Sequence, residues 1–191
     1  MPTVSAVRLD PEVSVTDTAR LVLGAILRTD LPDGTTAVRI TEVEAYGGED
    51  DPASHAWRGR NRSNGSMFLS AGHAYTYRSH GVHICFNIVT GRVGEPSAVL
   101  VRAGEPQQGA EVMEQRRERA DHLCDGPGKL CEALGITMAH DGHDLRTGPI
   151  RLLAGVSPSR IDELPRVGIS RATDRLWRFV LVPEPVDNPR A

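Results

Sequence analysis

The chain is short of lysine, of cysteine and of long apolar runs, and each shortage narrows what it can be. Of 22 basic residues only Lys129 is a lysine, so chemistry that needs an amine nucleophile has a single side chain to draw on. Cys85, Cys124 and Cys131 form no C-x-x-C pair and cannot all pair internally, and a reducing, cytoplasmic setting is expected. No stretch of about 18 uncharged apolar residues occurs, which excludes a spanning helix and any membrane role that depends on one. The opening MPTVSAVRLDPEVS has neither the basic head nor the apolar run of a signal peptide. G-x-S-x-G and H-E-x-x-H are both missing, which removes the nucleophile elbow and the zincin signature.

What is present is ordinary globular material. The 191 residues are 39% apolar and 25% charged, which excludes disordered and fibrous classes and suits one compact domain over 1–191. The Pro-rich VPEPVDNPRA reads as a surface tail from about residue 183. The formal net charge of −3 conceals an uneven distribution. Residues 1–53 carry 4 arginines against 10 acids, whereas residues 54–104 carry 6 arginines against Glu95 alone. Genome bias explains arginine over lysine but not the missing acids, so the middle segment is a candidate polyanion-facing surface.

Apolar residues at Ala19, Val22, Leu23 and Ile26 mark a helix over 16–28, capped by Thr16 or Asp17, followed by an L-P-D-G turn. Thr35 to Tyr46 alternates and is β-branched, as a strand should be. Gly47 to Gly72 reads as a long, polar, functional loop. His73–Tyr77 and Val82–Val89 form a hairpin over Arg78-Ser79-His80-Gly81, with Gly81 free to take positive φ. A short strand at 98–102, a charged helix over 107–121, a short helix over 128–134 and strands at 150–156, 166–169 and 177–181 complete the expectation. Antiparallel hairpins with peripheral helices predict an α+β domain.

On the strand ending at Tyr46, period-2 geometry places Ile40, Glu42, Glu44 and Tyr46 on one face. A carboxylate beside an aromatic ring, partly desolvated, can hold and deprotonate a water; the plainer alternative is two surface glutamates. Tyr75 and Tyr77 share one face of the hairpin, and His83, Cys85 and Asn87 share a face of its second strand, so rings and an amide could hold a planar heterocycle. His80 falls at the tip. His55, His73, His80, His83 and Cys85 lie within 31 residues, but without the H-x-E and P-C-x-x-C pattern of zinc deaminases no metal or cofactor is expected. The G-P-G-K at 126–129 lacks the remaining residues of a phosphate loop and is similar to a helix-hairpin-helix turn. It also reads as an anion-binding turn opening a helix.

Five segments in order, ITEVEAYGGEDDPASHAWRGR, SMFLSAGHAYTYRSHGVHICFNIV, VLVRAGEP, DGPGKLCEALGI and RVGISRATDRLWRF, resemble the alkyladenine (3-methyladenine) DNA glycosylases of the monofunctional alkylpurine family. The resemblance runs from about Ala19 to Phe179. It implies a curved antiparallel sheet with a protruding hairpin that enters the minor groove of double-stranded DNA containing damaged purines. Glu44 of the E-A-Y motif then activates the water that attacks C1′ of a flipped nucleotide, and Arg102 with backbone from R-V-G-I-S positions that water. Tyr46, His55 and Tyr77 match the family's base-binding residues. Asn87 matches the asparagine that opposes the exocyclic amino group of normal guanine. His80 stands where the family often has a tyrosine wedge, and Arg62 and Lys129 are expected at the DNA backbone. In the loop, Gly-Arg-Asn-Arg-Ser-Asn replaces the Arg-Asn pair of many relatives, with Arg62 displaced by one. The resemblance and the single lysine imply a monofunctional enzyme of base excision repair, and one damaged base needs only a monomer. The rivals are a non-catalytic binder of damaged DNA and a zinc-dependent base-modifying hydrolase.

Overall fold

The structure, a computed structural model, describes residues 5–183; most of the expected surface tail lies outside them. In chain order the elements are α1 (Val15–Val22), β1 (Ile26–Leu31), β2 (Gly34–Tyr46), β3 (Ala74–Ser79), β4 (His83–Val89), β5 (Ala98–Gln108), α2 (Ala110–Arg117), α3 (Pro127–Leu134), β6 (Ile150–Leu153), β7 (Ile161–Leu164) and β8 (Arg178–Leu181). The strands join one curved sheet in the order β3-β4-β5-β2-β1-β6, with β8 pairing both β2 and β7. All pairings are antiparallel, and the helices pack at the periphery, so the α+β class expected from the sequence holds. No helix of the described residues is long and apolar enough to cross a membrane.

Strand β2 organises the sheet. One edge runs along β5. The other edge pairs with β1 over Gly34 to Arg39 and with β8 over Glu42 to Glu44. The register with β5 slips around Thr41, between the stretches paired to β1 and to β8 on the other edge, and such a bulge reverses which side chains face the core. Ile40 consequently belongs to the main core together with Val43 and Ala45. The expectation that Ile40 shares a face with Glu42, Glu44 and Tyr46 is therefore corrected: a period of 2 does not survive an inserted residue.

Three other expectations also change. The first helix ends at Val22, because Leu23 is extended and Gly24 takes φ +80°; its cap is Ser14, whose hydroxyl accepts from the Asp17 amide at 3.1 Å. A Cβ at Gly24 would lie 2.1 Å from the Val156 carbonyl, so only glycine permits this turn. Ile26 then opens a strand and not a last helical turn. The charged helix shrinks to Ala110–Arg117, since Gln107 and Gln108 extend β5 and Glu118 closes the helix at φ 52°. Residues 166–169 form a loop; the strand lies earlier, at Ile161–Leu164, and Pro165 follows it.

The core lies between the sheet and α1, α2 and α3, around Phe86, Phe179, Leu27, Met113, Leu130 and Leu134, all essentially inaccessible. A second, smaller cluster joins Ala56, Met67 and Phe68 of the long loop to Tyr75 and Val89 of the hairpin, with Tyr46 and Tyr77 packed against it. Burying side chains of this size is worth about 1.5–3 kcal/mol each. That anchorage fixes a loop whose only regular pieces are single 3₁₀ turns at Gly48–Asp50 and Gly65–Phe68.

Candidate active site

Glu44 projects from β2 into a cleft of about 1200 Å³ between the long loop, the hairpin and the loop after Pro165. Its side chain has no exposed surface, a state a carboxylate tolerates only when donors surround it. The Tyr46 hydroxyl donates to Oε2 at 2.8 Å, and the Val167 amide donates to Oε1 at 2.7 Å. Arg102 from β5 places a guanidinium nitrogen 3.4 Å from Oε1. Burial, and then the charge of Glu44, push the Tyr46 hydroxyl above its ordinary pKa, which keeps it protonated as a donor. Burial opposes the charge of Arg102, but Glu44 and Glu42 outweigh it and its pKa stands above the ordinary arginine value.

Glu42 is one bulge-shifted position away and does something different. Its carboxylate accepts from Arg102 Nε at 2.8 Å and from Arg178 at 3.2 Å. It orients the arginine that faces Glu44 and is itself spoken for by two cations.

The aromatic wall follows from hairpin register. Tyr75 lies opposite Asn87 and Tyr77 opposite Cys85, and directly paired residues share a face. The Tyr75 and Tyr77 rings stack at 5.7 Å between centroids, 28° apart. His55 opens onto the cleft from the long loop, with its ring edge-on to Tyr77 at 4.4 Å and Nδ1 2.8 Å from the Tyr75 hydroxyl. Packing against these rings holds the His55 pKa below its ordinary value, favouring the neutral ring. Asn87 is buried and donates to the Tyr75 carbonyl at 3.0 Å, which fixes its amide at the cleft wall. Burial raises the Cys85 thiol above its ordinary pKa, so it stays protonated.

At the hairpin tip His80 and Gly81 both have positive φ, 49° and 73°, and the Val82 amide donates to the Ser79 carbonyl at 3.0 Å. Positive φ at both central residues is the signature of a type I′ turn, which matches the twist of the strands. His80 stands exposed over the cleft.

Of the nine side chains to which the family resemblance gives a role, eight line this one cleft. The ninth, Lys129, lies in the first turn of α3 with Nζ 2.8 Å from Asp125, and is not among the cleft residues. The glycine of the G-P-G-K turn has a packing role: a Cβ at Gly128 would sit 2.9 Å from Cβ of His83 on the hairpin. In the loop, Asn64 turns inward and donates to the His55 and Gly59 carbonyls at 3.0 and 3.1 Å, so it holds His55 in place while Arg62 faces outward. Among the described residues, no three His, Cys, Asp or Glu side chains gather as a metal-binding group.

The arginine-rich segment does not form one patch. Arg92 pairs with Glu12 and lies outside the cleft, and Arg60 packs over Phe68 at 5.8 Å. Arg58, Arg62 and Arg78 are exposed around the cleft mouth and pair with no carboxylate of the described residues. Arg171, from a distant segment, joins them by stacking over Trp57 at 4.4 Å, with Arg58 at 5.5 Å from the same ring. Trp57, Asp51, Arg166 and Arg171 had no local sequence signal. Asp51 and Arg166, 115 residues apart, form an ion pair with neither side chain exposed.

The cleft thus has a buried carboxylate on its floor, tyrosines along its wall and guanidinium groups without carboxylate partners among the described residues at its mouth, the groups suited to a planar ring and to a polyanion. Residues 10–185 match the family model described as methylpurine-DNA glycosylase (MPG). A protein of Nitrosospira multiformis named "Putative 3-methyladenine DNA glycosylase" is 44% identical over 179 residues, covering 93% of this chain and 90% of its own. Proteins of the same name from Methanoculleus marisnigri and Mycolicibacterium fortuitum are 46% and 48% identical. Each alignment covers 85% of this chain, and 88% and 87% of theirs. The chain belongs to the methylpurine-DNA glycosylase family, and its function is of the DNA-glycosylase type that serves base excision repair.

Proposed function

We propose that the protein releases alkylated or deaminated purines from double-stranded DNA by hydrolysing the N-glycosidic bond, leaving an abasic site. The observation that carries this reading is Glu44: wholly buried, yet on the floor of the cleft and beside the rings that would hold a base. A damaged nucleotide must leave the stack to reach it, which costs a few kcal/mol. Stacking on tyrosines repays part of that, at about 1–3 kcal/mol per base. His80 would fill the gap left in the duplex.

Water hydrogen-bonded to Glu44 beside Arg102 would attack C1′ as the bond to the base nitrogen breaks. The bonding pair leaves with the purine, and the water's proton passes to Glu44. A general base so placed contributes about 10²–10⁴ in rate. A cationic alkylpurine leaves readily as it is; a neutral hypoxanthine gains from protonation as it departs. Asn87, fixed by its bond to the Tyr75 carbonyl, would disfavour normal guanine by meeting its exocyclic amino group. The sole lysine, paired to Asp125, is not at the cleft, which supports hydrolysis without a lyase step.

Product analysis on duplexes carrying one hypoxanthine, ethenoadenine or alkylated purine tests this. Free base and an abasic strand that breaks only on alkaline treatment are expected. Strand cleavage by the enzyme itself, or binding without base release, would contradict it.

A further inference from the structure

The two donors that aim Glu44 share one support. Val167 is the chain neighbour of Arg166, and the Tyr46 ring lies 4.8 Å from the Arg166 guanidinium, which also meets the Trp177 ring at 5.2 Å. Arg166 donates to Asp51 Oδ1 at 2.9 Å, bonds Oδ2 as well, and reaches the Ala45 carbonyl, between Glu44 and Tyr46, at 2.9 Å. Asp51 in turn accepts the Gly47 and Ala53 amides, each at 3.2 Å. Trp177 completes the frame, since its carbonyl accepts from the Ala45 amide at 2.8 Å.

We propose that the buried Arg166–Asp51 pair is the positioning element of Glu44, holding the Val167 amide and the Tyr46 hydroxyl at fixed points on its two oxygens. This rests on the reading of Glu44 as the group that activates water. Stability alone is a poor reason for such a pair: desolvating two charges offsets much of their attraction, and well-packed apolar side chains often serve as well. Geometry is a better one. A planar guanidinium offers a fork in its plane and two faces for rings, and here the fork takes Asp51 and the Ala45 carbonyl while rings approach the guanidinium. A lysine keeps the charge but offers neither fork nor face.

The test uses the full chain with Arg166→Lys and with the paired change Asp51→Asn/Arg166→Met, which removes both charges while the asparagine oxygen still accepts one of the two loop amides. Single-turnover base release, affinity for the lesion duplex and Tm are measured together. A misplacement of about 1 Å costs roughly 10²-fold in rate, so release should fall to about that extent in both variants, and by more than lesion affinity does. In a Glu44→Gln background, where there is no aimed carboxylate, Arg166→Lys should reduce the residual rate little further. A paired variant that folds and releases base at the wild-type rate overturns the proposal. So does one that loses its fold, which makes the pair a stabiliser first, or one whose affinity falls as far as its rate. A wild type that releases no base defeats the reading of Glu44 itself, a result distinct from these.

Discussion

Salt should weaken DNA binding by an amount set by the arginines at the cleft mouth. Arg58, Arg62, Arg78 and Arg171 are exposed and pair with no carboxylate of the described residues, so each can displace a counterion from a phosphate. At about −0.9 per phosphate contact, four contacts give a slope of about −3.6 in log K against log salt. Between 50 and 200 mM salt the affinity for a lesion duplex should then fall about 150-fold. Replacing any one of the four by glutamine should lower the slope by about 0.9 and reduce that fall about 3.5-fold. Arg92→Gln is the control, because Arg92 already pairs with Glu12 outside the cleft. Fluorescence anisotropy across a salt series reads all five variants and the wild type. A flat salt dependence, or an Arg92 variant that moves the slope as much as the others, refutes the assignment of the phosphate contacts to this rim.

Asp51 has its pKa held below the ordinary 3.8: burial pushes it up, but the Arg166 hydrogen bond and charge outweigh that. The pair therefore contributes its full stability above pH 3.8 and loses it as pH falls below that value toward the folded-state pKa; Asp51→Asn should flatten the acid side of a Tm-against-pH curve, and an unchanged slope would refute this. Gly48→Ala should lower Tm by several degrees, since φ there is +73° and the new Cβ would lie 1.7 Å from the Pro96 carbonyl, whereas Gly94→Ala, at φ +89° in open space, meets only the backbone penalty of about 1–2 kcal/mol. Equal losses would show that the contact with Pro96 does not matter. His80→Ala should slow base release from duplex DNA more than from a single strand, where no gap needs filling; equal slowing would remove His80 from that role.

The hairpin and the second half of β2 were legible because their patterns are local: alternation and β-branched residues put Glu44 and Tyr46 on one strand face and the tyrosines and Asn87 on one hairpin, whereas only the family resemblance implied that the two meet in one site. Where the pattern ran on, it misled. The apolar spacing of Ala19, Val22, Leu23 and Ile26 continues in helical phase through Gly24, and only the pairing of residues 24–31 with β2 and β6 reveals that a strand begins there. The bulge at Thr41 is equally silent: the register with β5 slips there, while along the other edge β2 exchanges β1 for β8. The Asp51–Arg166 pair and the stacking of Arg171 on Trp57 join residues more than 100 positions apart. A charge count by segment could therefore find the arginine-rich stretch but not say which of its members faces the cleft.

The most direct measurement is single-turnover base release by wild type and Glu44→Gln on the same lesion duplexes, with binding followed in parallel. Glutamine keeps the shape and an acceptor oxygen but cannot take the proton of water. The expected result is release of free base by the wild type, and a variant that binds the lesion comparably but releases base about 10²–10⁴-fold more slowly. A variant that releases base as fast as the wild type would remove Glu44 from the chemistry. A wild type that binds lesions and releases nothing would leave the protein a binder of damaged DNA.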